Sequence, residues 1–110
     1  MERAPLFPNV ADSVCWQLHP LARLHWRRWG DSWVVYDEAS GLAHSLDTLR
    51  ATTLLLLEEA PATSTALAHG VEAELQTGDP TRLVAMMVSV LADLEGVRLV
   101  GHAAPAHEVA

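Results

Sequence analysis

Cys15 and His19, with His102 and His107 near the far end of the chain, are the side chains whose types could hold a metal ion. The C-x₃-H spacing lacks the paired ligands of a structural zinc site, so no metal and no other cofactor is expected. No histidine is placed by the sequence to activate the Cys15 thiol, and a small buried thiol is the ordinary reading. Asp37-Glu38 and Glu58-Glu59 supply paired carboxylates, but neighbours in a turn or at a helix end point apart, which suits solvated charges rather than an acid/base pair. The six glycines are scattered, and none belongs to a G-x-x-x-x-G-K phosphate loop. No catalytic machinery is visible, and the protein is not expected to be an enzyme. The remaining concentration of unusual residues is "WRRWGDSWVVYDEASGLAH", Trp26 to His44, with three of the four tryptophans, the single tyrosine and two of the seven arginines. A base-stacking surface would need sustained positive potential around those rings, and Asp31, Asp37 and Glu38 remove it. Aromatics that cover a core and shield one face of a small sheet fit better, with Trp29 or Trp33 able to join a partner interface.

The elements that would position these residues are set by composition and period. A chain of 110 residues, half of them hydrophobic, makes one domain with an affordable core. One cysteine, no signal-like opening and no apolar run of membrane-spanning length lead to the expectation of a cytoplasmic protein without a membrane partner. Charge is uneven. Residues 1–30 carry four arginines against two carboxylates, residues 31–110 carry three against twelve, and there is no lysine. Such a surface repels a phosphate backbone, so no nucleic acid partner is expected.

Residues 1–20, interrupted by Pro5, Pro8 and Pro20, read as an arm packed through Trp16 or Leu18; residues 102–110 read as a flexible tail. From Leu21 onward the period is that of strands: "RLHWRRW", a tight Gly30-Asp31 loop, "SWVVY", a loop containing Gly41, and "LAHSL". A three-residue loop, Ala39-Ser40-Gly41, sets Tyr36 opposite His44 and Val34 opposite Leu46. A four-residue loop would shift the register by one and exchange the faces. The three-residue form is preferred because it sets Leu46 beside Val34, just before the helix that must cover them. His44 then reads as a half-buried sheet residue.

Asp47 is a good N-cap for a helix running to Pro61, and the run Leu54 to Leu57 requires that helix to be buried on more than one side. A second helix follows Thr63 or Ser64, weakened by Gly70. Asp79-Pro80 opens a third, with Leu83, Met87, Val90, Leu91 and Leu94 as a core stripe and Val84, Met86 and Val88 widening the apolar surface. "VRLV" could close the chain as a short strand. The expected class is α+β and winged-helix-like: a three-stranded antiparallel meander followed by three α-helices.

The block "LHWRRWGDSWVVYDEASGLAHSLD", followed by an apolar helix, a short helix and a long helix ending in "LADLEGVRLV", resembles the PqqD-like family over residues 21–101. Within it, the chain more closely resembles the peptide chaperones of systems with an HPr-kinase-related protein. The resemblance implies a non-catalytic recognition element for ribosomally made, post-translationally modified peptides. In that family the leader of a precursor peptide adds as a strand to the third β-strand, beside the third helix. Carried onto this chain, the strand is Leu42, Ala43, His44, Ser45 and Leu46, and the groove wall is drawn from Leu83, Met86, Met87 and Val90. The implied partners are a precursor peptide and a peptide-modifying enzyme or HPr-kinase-related protein. The third helix departs from an acidic-leader receptor in having Arg82 as its single cation.

The residues support the same idea on physical grounds. "LAHSL" has no later strand obviously available for its second side, Ala43 and Ser45 are small, and two adjacent methionines offer an adaptable apolar wall. The alternatives are a winged-helix DNA-binding regulator and a scaffold whose edge strand pairs with another protein or a second copy, giving a homodimer.

Overall fold

The structure, a computed structural model, describes residues 14–103. Its elements in chain order are β1 (Cys15–Leu18), β2 (Leu24–Trp29), β3 (Ser32–Asp37), β4 (Leu42–Leu46), α1 (Thr48–Glu59), β5 (Ala62–Thr63), α2 (Ser64–Leu75), α3 (Pro80–Gly96) and β6 (Val100–His102). The class is α+β: β2, β3 and β4 form the expected antiparallel meander, and three helices follow it.

The first hairpin closes through Gly30-Asp31, with Trp29 opposite Ser32 and Gly30 at φ 59°, a left-handed conformation that glycine adopts without strain. The second hairpin departs from the expected register. Trp33 pairs with Leu46, Val35 with His44 and Asp37 with Leu42, so Tyr36 lies opposite Ala43 and Val34 opposite Ser45. The cause is Glu38, which joins the loop and makes it four residues long. Gly41 donates its N–H to the Asp37 carbonyl, and the Asp37 carboxylate accepts the Ala39 N–H at 3.0 Å, holding the chain in the longer turn. One residue of slip exchanges the faces. Val35, not Val34, enters the core, and His44 lies on the core side with Leu42 and Leu46. Trp26 and Trp33 meet edge to face at 5.9 Å beneath this sheet.

A second sheet, of order β5-β1-β6, is built from segments too short to be read from periodicity. Trp16 pairs with Ala62 on one side and His102 on the other. Residues 15–18, expected as part of an arm, thus form the central strand of this sheet, and both Trp16 and Leu18 pack against the core as anticipated. The final strand starts at Val100 rather than Val97, after Arg98 turns the chain at φ 62°. His102, placed in the tail by the sequence, closes that strand. The first thirteen residues of the arm and the tail from residue 104 lie outside the described residues.

The helices begin where their caps sit. The side chains of Asp47, Thr63 and Asp79 accept the N–H of Arg50, Ala66 and Arg82 respectively, satisfying donors that a helix start leaves open. α1 is central, packing on α2, β1, β3 and β4, and buries Ala51, Thr53, Leu54 and Leu57. Leu55 and Leu56 remain half-buried. On α3 the buried stripe is Leu83, Met87, Val90, Leu91 and Leu94, with Met86 and Val88 outside it. Gly70 has a reason: a Cβ there would come within 2.9 Å of Leu56 Cδ1, so its absence lets α1 and α2 approach closely.

Candidate functional site

β4 is the terminal strand of its sheet, and among the described residues no strand pairs with its outer side. The described part of the arm, β1, and the last strand, β6, pair with each other in the second sheet. An antiparallel strand directs alternate N–H and C=O groups to either side, so a terminal strand leaves half of them open to a further strand. The opposite edge, β2, is equally terminal but differs in kind. It carries Arg27 and Arg28 and two tryptophans, the charged and bulky side chains that blunt an edge. β4 reads Leu-Ala-His-Ser-Leu, with no Asp, Glu, Lys or Arg.

Of the expected strand residues, Ala43 and Ser45 are exposed on the outer face and Leu42 is 57% exposed at the strand's start. Leu46 is core. His44 is half-buried, and its Nε2 atom is fully buried without a hydrogen-bond partner among the described residues. A buried unsatisfied nitrogen of this kind costs about 1–3 kcal/mol.

The expected helix wall divides. Met87 and Val90 are entirely within the core and form no part of any surface. Leu83 and Met86, the latter 38% exposed, line a cavity of about 310 Å³ with Leu49, Leu75, Thr77, Asp79 and Arg82. The sheet rests on α1, whereas α3 packs on α2 and β6. The cavity that holds Leu83 and Met86 is therefore built from the start of α1 through Leu49, the end of α2 and the start of α3, and no β4 side chain lines it. Neither Leu49 nor Leu75 was among the expected site residues; the period of the second helix places Leu75 inward with Leu67 and Val71. Both are apolar residues at a helix terminus, and which cavity such residues line depends on how the helices assemble. Arg50 ties the site's helices together, pairing with the Asp47 carboxylate at 2.7 Å and with Asp93 of α3.

Electrostatics at the base of β4 centre on Asp37, only 4% exposed. One oxygen, Oδ1, accepts the N–H of Arg23 and of Ala39, each at 3.0 Å. The Arg23 bond is the main reason its carboxyl is held below the ordinary value; burial opposes it, while the Ala39 N–H, the Ser40 hydroxyl and the charge of nearby His44 add to it. The carboxylate is structural, fixing the loop that presents β4.

Among the described residues no group of three metal-ligating side chains comes together, and Cys15 and His102 are engaged in the second sheet, where His102 stacks edge-on against Trp16 at 4.4 Å. No described helix is long and apolar enough to cross a membrane. What the arrangement can do chemically is present a strand edge without Asp, Glu, Lys or Arg, and, between the ends of the helices, a mainly apolar cavity. Comparison with family models, with curated proteins and with solved structures returns no match.

Proposed function

We propose that the protein is a non-catalytic, cytoplasmic peptide-binding adaptor. It holds the leader segment of a ribosomally made precursor peptide by strand addition to β4 and presents the rest of that peptide to a modifying enzyme or HPr-kinase-related partner. The observation that carries this reading is the contrast between the two sheet edges: β2 is guarded by arginines, and β4 is terminal and has no Asp, Glu, Lys or Arg. Main-chain hydrogen bonds give generic affinity, and alternate side chains of the incoming strand give specificity through pockets. The cavity of Leu49, Leu75, Leu83 and Met86 suits one apolar side chain of the bound segment, with Asp79 and Arg82 at its rim. A duplex-binding role has less support, since α3 carries Arg82 alone and α2 carries no arginine or lysine.

The test is an amide-shift map with a leader peptide encoded beside this chain. Strand addition moves the amides of residues 42–46, and replacing alternate leader N–H groups by N-methyl abolishes the effect. No binding by folded protein up to about 1 mM, roughly −4 kcal/mol, retires the reading.

A further inference from the structure

A second concave surface lies between α1, the β2–β3 hairpin and the end of α2, sharing Leu75 with the first cavity. One side of α1, Thr48, Thr52, Leu55, Leu56 and Glu59, recurs at helical spacing and forms the floor of an open cleft of about 570 Å³. Arg28 and Trp33 wall it from the sheet, and Glu74 and Leu75 wall it from the end of α2. Its base is apolar, with Leu55, Leu56, Leu75 and Trp33, and its rim holds three carboxylates, Glu58, Glu59 and Glu74. The rim's one arginine is already committed: Arg28 lies over the Trp33 ring at 5.0 Å and donates to the Gly30 carbonyl. Glu58 accepts the Trp26 indole N–H at 3.0 Å, which fixes its carboxylate at the cleft, and among the described residues none of the three glutamates is in an ion pair.

We infer that this cleft docks a basic amphipathic helix of a partner protein, with apolar side chains on the leucine floor and lysines or arginines against Glu58, Glu59 and Glu74. A helix laid in such a groove seats its i, i+3, i+4 and i+7 side chains on the apolar floor. Charge complementarity selects the occupant. A second copy of this chain offers no basic helix: α1 carries Arg50 alone, α2 no arginine or lysine, and α3 Arg82 alone, so its helices do not match an acidic rim. An acidic leader, of the rim's own sign, is excluded from the cleft. An adaptor needs a surface for the protein it serves as well as one for its cargo, yet this inference rests on the cleft alone and survives if strand addition at β4 fails.

The test uses the full chain and a fluorescent four-turn helix of lysine and leucine with its lysines on one face, beside a scrambled peptide of equal composition. Binding is read by anisotropy and located by amide shifts. Shifts are expected at Thr48, Thr52, Leu55, Leu56 and Leu75. The E58Q/E59Q/E74Q variant, in which Glu58→Gln keeps an acceptor for Trp26, is expected to bind about tenfold more weakly or worse. Thr48→Arg, at an exposed floor position, is expected to weaken binding without touching the core, and Ala43→Lys at the strand edge is expected to leave it unchanged. Equal binding by the scrambled peptide, unchanged affinity in the triple variant with its fold intact, or shifts gathered at β4 would each overturn the inference.

Discussion

Replacing Asp37 tests the reasoning about the sheet most directly, because one oxygen of one buried side chain holds two backbone donors on either side of a hairpin. In Asp37→Ala the N–H groups of Arg23 and Ala39 both lose the acceptor they reach at 3.0 Å. Hydrogen bonds to a charged group are worth about 1.5–3 kcal/mol each, and water can replace part of the loss because Arg23 and Ala39 are themselves exposed. A cost of about 2–3 kcal/mol follows, lowering Tm by roughly 10–20 °C in a domain of this size. Asp37→Asn keeps an oxygen where both donors point and removes only the charge, so about half that loss is expected. The two variants also separate by pH. The folded carboxyl sits below its ordinary value of 3.8, so between the two values the unfolded chain binds more protons. The stabilisation is complete above that ordinary value and fades as pH falls through the folded one. Urea melts at neutral pH and again below the carboxylate range should therefore show the gap between wild type and Asp37→Asn closing in acid. An Asp37→Ala protein within about 0.5 kcal/mol of wild type would refute the reasoning, since that is the ordinary scatter of surface changes.

Other expected outcomes are simpler to read. His44→Leu removes a buried nitrogen without a partner and sets an apolar side chain on the core face, but it also removes the charge that favours the Asp37 carboxylate, so chemical denaturation should show a net gain of no more than about 1 kcal/mol. Gly70→Ala should be nearly neutral, because about 1 kcal/mol of helix propensity offsets the shift demanded of the Leu56 side-chain end; Gly70→Leu should lose about 2 kcal/mol by overpacking the α1–α2 seam. A double-mutant cycle on Arg50 and Asp93 should give a coupling of about 0.5–1 kcal/mol that shrinks in high salt, as for a half-exposed pair. Leu54→Ala, at a fully buried position on the central helix, should cost about 3 kcal/mol in the same melts.

The sequence by itself determined what depends on local periodicity and caps. Asp47, Thr63 and Asp79-Pro80 marked three helix starts, and the stripe of Leu83, Met87, Val90, Leu91 and Leu94 was legible because burial along a long helix repeats with its turn. The meander was legible for the same reason, down to the Gly30 turn. The register of the second hairpin was not, because side-chain alternation along β3 and β4 is satisfied by either face. The choice fell to a loop residue, Glu38, and to the N–H groups of Arg23, just before β2, and Ala39, in the loop, which donate to the Asp37 carboxylate. The second sheet depended on tertiary structure entirely: strands of two to four residues carry too few alternations to register, and β1 becomes a strand only because β5 and β6 arrive on either side of it. The site followed the same division. The edge of β4, free of Asp, Glu, Lys and Arg, could be read from "LAHSL", but the cavity between the helix ends drew on Leu49 and Leu75, and packing sent Met87 and Val90 into the core, because which side of a helix meets solvent is decided by the neighbours it packs against.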